Sequence, residues 1–118
     1  MEKPRFERRK YKRVKADVKV TIQKYKNADD FFTSEEGVGK NISAGGLLVN
    51  CKTPADVPSY VIAMFQLPGS GNKLEVVARV VRVEELTDNT YDLGLMFMRT
   101  LFGEFEELEK YIQDKLEE

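Results

Sequence analysis

Apolar and polar residues alternate from Val14 to Ile22, with Val14, Ala16, Val18, Val20 and Ile22 apolar and Lys15, Asp17, Lys19 and Thr21 between them. A period of two puts one set of side chains on a buried face and the other in water, which predicts a strand. Residues 24–30 are polar and include Asn27, Asp29 and Asp30, so they predict a turn or loop that returns the chain in a hairpin. Residues 37–42 and 47–51 predict two short strands around the turn Ser43-Ala44-Gly45-Gly46. Pro54 and Pro58 exclude residues 53–58 from a central ladder. Residues 61–67 form another apolar strand, closed by the turn Pro68-Gly69-Ser70-Gly71-Asn72. A long β-branched run follows over 74–83, with a bend or change of face near Val76 and Val77. After a polar turn at 86–89, alternation resumes from Tyr91, with Leu93, Leu95 and Phe97 on one face. These segments amount to about six strands.

At Leu101 the period changes. Leu101, Phe105, Leu108, Ile112 and Leu116 recur at three- and four-residue intervals among glutamates and lysines, which predicts an amphipathic helix over 101–116. Its apolar stripe needs a partner, and an open end or seam of the barrel supplies one. The fold class predicted is therefore mainly β: a six-stranded antiparallel β-barrel closed by a C-terminal amphipathic α-helix, one domain in 118 residues.

Composition narrows the function. With 42% hydrophobic and 33% charged residues, the chain can bury a core and folds. The longest apolar run, residues 61–65, falls far short of the roughly 20 residues a spanning helix needs, so no membrane insertion is expected. The basic start is not followed by an apolar stretch of the secretory kind, and a cytoplasmic location is expected. The single cysteine, Cys51, excludes an internal disulfide and a thiolate zinc cluster, and reads as a small buried hydrophobe. Without any histidine, the commonest general base, the commonest metal ligand and every Ser-His or Cys-His nucleophile are missing. The acids lie in solvated runs such as 104–109. The expectation is a chain that is not an enzyme, with no catalytic residue, no metal and no cofactor.

Net charge is only −1, yet residues 3–15 carry Lys3, Arg5, Arg8, Arg9, Lys10, Lys12, Arg13 and Lys15 against Glu7 alone, while the C-terminal end is rich in glutamate. Arg9 and Arg13, four residues apart, fall on one face of an extended or a helical segment. Two guanidiniums so placed can grip phosphates, bond a guanine edge or stack on a base. The same run also reads as a solvated basic tail. Asn41, Ser43, Gly45 and Gly46 offer an amide, a hydroxyl and a tight turn, and they read equally as an ordinary polar hairpin turn.

Taken together, an R-x-x-x-R pair ahead of a barrel and an [D/N]-x-S-x-x-G run some thirty residues on resemble the PilZ family of bacterial cyclic di-GMP receptors. Arg9 and Arg13 match the first motif, with Arg8 beside them, and Asn41, Ser43 and Gly46 match the second. Residues 61–68, 74–82, 91–97 and the C-terminal helix resemble the later elements of the family. The resemblance implies a stand-alone receptor or adaptor in bacterial second-messenger signalling. Residues 1–13 would be a flexible basic arm and 14–118 the barrel with its helix. Cyclic di-GMP would be bound by Arg8, Arg9, Arg13, Asn41, Ser43 and Gly46. Ordering of the arm would then be read by an unidentified downstream protein in motility, biofilm or exopolysaccharide control. Asparagine at 41 in place of aspartate lacks the charge that favours guanine N1 and N2 donors. Arg79 and Arg82 stay unassigned among facing solvent, pairing with acids and extending the site. The rival readings are a PilZ-like interaction adaptor that does not bind the nucleotide and a small nucleic-acid-binding barrel. The near-neutral charge and the single aromatic within the basic cluster 8–13, Tyr11, argue against nucleic acid.

Overall fold

In the computed structural model, residues 13–24, 33–68 and 71–117 are described. The chain order is β1 (Val14–Lys24), β2 (Thr33–Ile42), β3 (Gly46–Cys51), β4 (Ser59–Gln66), β5 (Lys73–Glu85), β6 (Tyr91–Phe102) and α1 (Phe105–Leu116). The six strands close into a barrel in the order β1-β2-β3-β6-β5-β4, every neighbouring pair antiparallel. Closure gives every strand a neighbour on each side.

The alternation read from the sequence is the packing rule of the barrel. Val18, Val20 and Ile22 of β1, Val61, Ala63 and Phe65 of β4, Leu74, Val76, Ala78 and Val80 of β5, and Leu93 and Leu95 of β6 all point inward and are buried. β5 shifts register against β6 at Glu75/Val76, Val77/Ala78 and Val80/Arg82, but its face does not change at Val76 and Val77: the buried alternation runs unbroken from Leu74 to Val80. Cys51 is buried, its thiol donates to the Thr53 carbonyl at 3.2 Å, and burial pushes its pKa up. An unreactive thiol follows.

Three boundaries differ from the pattern. β2 begins at Thr33, because Thr33, Ser34 and Glu35 pair with Lys24, Gln23 and Ile22. Both faces of that extension are largely wet, so it carries no apolar alternation. β6 continues through Leu101 to Phe102, which pairs with Glu75 of β5. Gly103, at φ +86°, then breaks the strand, and the helix starts at Phe105 instead of Leu101. The helix buries Leu108 and Ile112, while Leu101 and Leu116 are exposed. It seats on the aromatic stack of the barrel, with Phe65 and Phe97 at 6.2 Å between centroids and Phe97 and Phe105 at 6.1 Å. Glu106 and Glu107 in the first turn and Lys115 in the last suit the helix dipole.

A polar staple holds the loop after β3. Lys24 bonds Glu35 at 3.1 Å and also donates to the hydroxyl and carbonyl of Thr53, while Glu35 accepts the backbone N–H groups of Lys52 and Thr53. Burial pushes the Glu35 carboxyl up, but the hydrogen bonds from Thr53, Lys24 and Lys52 and the charge of Lys24 outweigh it and leave it below its ordinary value.

Candidate functional site

The outer wall of the barrel carries a groove of about 600 Å³ where β2, β3, β6 and β5 run side by side. Arg13, Asn41, Ser43 and Gly46, singled out in the sequence, all line it. Arg8 and Arg9 lie outside the described residues. Arg13 stands exposed immediately ahead of β1, and Asn41 is the penultimate residue of β2.

Ser43 builds the turn between β2 and β3. Its backbone N–H donates to the Gly46 carbonyl at 2.9 Å, and its Oγ accepts the N–H groups of Gly45 and Gly46, each at 3.1 Å. The Gly45 carbonyl in turn accepts the Phe97 N–H at 2.9 Å, which ties the turn to β6. Gly46 is required by close approach, because a Cβ there would overlap the Leu95 carbonyl oxygen. Ser43 is 6% exposed, and its oxygen already accepts two amides. What it can present to a ligand is its proton, hence a bond to an acceptor such as a purine carbonyl or a phosphate oxygen.

The register places a single transverse row across five strands. Lys15 pairs with Asn41, Asn41 with Leu48, Leu48 with Gly94, and Gly94 with Arg82. At the usual strand spacing of about 4.8 Å the row spans roughly 19 Å along the barrel surface. Asn41, Leu48, Gly94 and Arg82 of this row all line the groove, and Val81 and Met96 flank its β5–β6 side. The sequence alone does not assign Arg82. Its signal was an arginine closing the apolar run of β5, and only the register that sets it opposite Gly94 gives that signal meaning.

Among the described residues lining the groove, Arg13 and Arg82 carry charge and none is an acid. The nearest buried carboxylate on the same strand as Gly94, Asp92, is compensated by Lys40 at 2.9 Å and by the Asn50 amide at 3.0 Å. A concave wall with apolar floor and cationic rims suits a ligand that combines flat rings with negative charge. Among the described residues, no group of three His, Cys, Asp or Glu is placed to hold a metal ion, and no helix is long and apolar enough to cross a membrane.

The sequence profile of the PilZ domain matches residues 7–114. No curated protein sequence matches the chain. Several solved structures share its fold. The Bacillus subtilis inhibitor of motility MotI/DgrA aligns at 23% identity and TM-score 0.77, covering 94% of this chain and 53% of that one. The PilZ domain of YcgR from Escherichia coli, solved with c-di-GMP, aligns at 17% identity and TM-score 0.63, covering 93% and 92%. MrkH from K. pneumonia in its apo state aligns at 21% identity and TM-score 0.68, covering 98% and 52%. The chain thus spans about half the length of MotI and of MrkH.

Proposed function

Since the chain belongs to the PilZ domain family, we propose that it is a non-catalytic receptor for cyclic di-GMP that acts in the cytoplasm through a downstream protein. The observation that carries this reading is the convergence of Arg13, Asn41, Ser43 and Gly46 on one groove whose described charged residues are both arginines. The similar YcgR domain was solved with c-di-GMP, which supports the choice of ligand.

In this reading Arg9 and Arg13 hold phosphates and guanine edges, with Arg8 beside them. The Asn41 amide and the Ser43 hydroxyl proton meet a guanine, and Gly46 lets β3 run close enough to β6 to form the wall. Binding draws residues 1–13 onto the barrel, and the changed surface is what the partner reads. A charge-assisted hydrogen bond contributes about 1.5–3 kcal/mol, so losing Arg9 or Arg13 weakens binding roughly tenfold or more.

Calorimetric titration with cyclic di-GMP tests the reading, with GTP as the competing guanine nucleotide and the Arg9→Ala, Arg13→Ala double variant as control. Saturable binding by the wild type, lost in the variant and not reproduced by GTP, is the expected result. A wild type that takes up no cyclic di-GMP leaves the interaction adaptor in its place.

A further inference from the structure

Asn41 reaches the groove because β2 is irregular at the residue before it. In a regular strand successive side chains alternate between the two faces. Gly39 faces the core, since a Cβ on it would meet the side chains of Leu47 and Val20, and Lys40 is exposed on the outer wall. Strict alternation would then turn Asn41 inward. Instead Gly39 pairs with Val49 and Asn41 with Leu48, two steps along β2 against one along β3, so a β-bulge sits at Lys40. Lys40 and Asn41 therefore both face outward, Ile42 returns to the buried face, and Asn41 lines the groove.

The bulged residue is also an anchored one. Lys40 Nζ reaches over β3 to Asp92 Oδ2 on β6 at 2.9 Å. The Asp92 side chain is 8% exposed, and its other oxygen accepts the Asn50 amide at 3.0 Å, which also donates to Thr90 Oγ1 at 3.0 Å. Removing the cation would leave a buried carboxylate uncompensated, so this bond holds more firmly than an exposed ion pair and ties the bulge to β3 and β6. Lys40 itself does not line the groove. From this geometry we infer that Lys40 and Asp92 are positioning residues for ligand recognition, their bond holding the bulge that aims Asn41 at the ligand. The inference rests on the nucleotide reading above and works through Asn41, not through a contact between Lys40 and the nucleotide. The neutral amide at 41 fits it, because a carboxylate beside Lys40 would compete with Asp92 for the ammonium.

The test is calorimetric titration of cyclic di-GMP into the wild type, Asp92→Leu, Lys40→Met, Asn41→Ala and the Asp92→Leu, Asn41→Ala double variant, with thermal unfolding of each. Asp92→Leu leaves no buried charge and a lysine that water can solvate, so it retains its fold even where Lys40→Met, which strands the carboxylate, does not. Asp92→Leu and Lys40→Met are both expected to raise Kd about two- to tenfold, the change that corresponds to one neutral hydrogen bond of about 0.5–1.5 kcal/mol. In the Asn41→Ala background, Asp92→Leu is expected to change Kd less than about twofold, since no amide is left to aim. An equal loss in both backgrounds overturns the inference, because the pair then acts on the site by some route other than Asn41. Unchanged or tighter binding by Asp92→Leu overturns it as well, because a Lys40 released from Asp92 would then serve the ligand at least as well as the anchored one. Absence of binding by the wild type is the different failure, in which the nucleotide reading falls and this inference with it.

Discussion

Ser43 and Gly46 are bonded to each other twice, by the Ser43 N–H to the Gly46 carbonyl at 2.9 Å and by the Gly46 N–H to the Ser43 Oγ at 3.1 Å. A ligand-facing motif is therefore also the scaffold of its own turn. Ser43→Ala removes the acceptor of two amide groups, those of Gly45 and Gly46, in a partly buried turn. Leaving such groups unsatisfied costs about 1–3 kcal/mol. A lowered urea midpoint is expected together with weaker cyclic di-GMP binding, and an unchanged midpoint would show that the turn does not depend on this hydroxyl.

Gly46 and Gly94 both line the groove, but their tolerance for a methyl group differs. At Gly46 the obstacle is the backbone carbonyl of Leu95, which cannot rotate away, whereas at Gly94 the nearest atom, at 3.4 Å, is the Arg82 Cβ. Gly46→Ala is expected to cost about 1–3 kcal/mol through overpacking, and Gly94→Ala to stay within about 0.5 kcal/mol of wild type. Denaturant titrations of the two variants side by side decide this, and equal losses would contradict it.

The staple between Lys24 and Glu35 makes stability depend on pH. The folded Glu35 carboxyl lies below its ordinary value of 4.5, so its contribution is present above that value and is lost as pH falls through the folded one. Glu35→Gln is expected to be less stable at neutral pH and to lose less on acidification. Urea midpoints at pH 7 and at about pH 3 measure the difference between the two slopes. Parallel slopes for wild type and variant would show that Glu35 does not contribute.

Leu108 and Leu116 share one apolar stripe in the sequence but not one environment. Leu108 is fully buried, and Leu116 is 44% exposed. Leu108→Ala should cost about 2–5 kcal/mol, while Leu116→Ala should stay within about 0.5 kcal/mol. Thermal unfolding of both variants checks the seating of the helix, and a large loss at Leu116 would mean that the last turn is packed.

Strands were legible where one face is buried and the other is wet, as from Val14 to Ile22, because burial then prints a period of two on the sequence. The extension of β2 over Thr33 to Glu35 carries no such print, since it is held by pairing with β1 and by the Lys24–Glu35 staple. Leu101 fits the helical period by spacing alone, and the continuation of β6 to Phe102, which pairs with Glu75, assigns it to the strand. At the site, motif residues close together in the chain were readable, Asn41, Ser43 and Gly46 among them. Arg82 was not, because its neighbour Gly94 comes to it through the register of β5 against β6, which local patterning does not encode.

Backbone amide shifts during titration with cyclic di-GMP test the central claim most directly, because they report the place of binding as well as the fact. Shifts of Gly45, Gly46, Leu48, Arg82 and Gly94, with the amides of Cys51 and Leu108 unmoved, are expected if the nucleotide occupies the groove. A spectrum that does not change at saturating ligand, or shifts gathered around Glu35 and Thr53 in place of the β2–β3–β6–β5 wall, would contradict it.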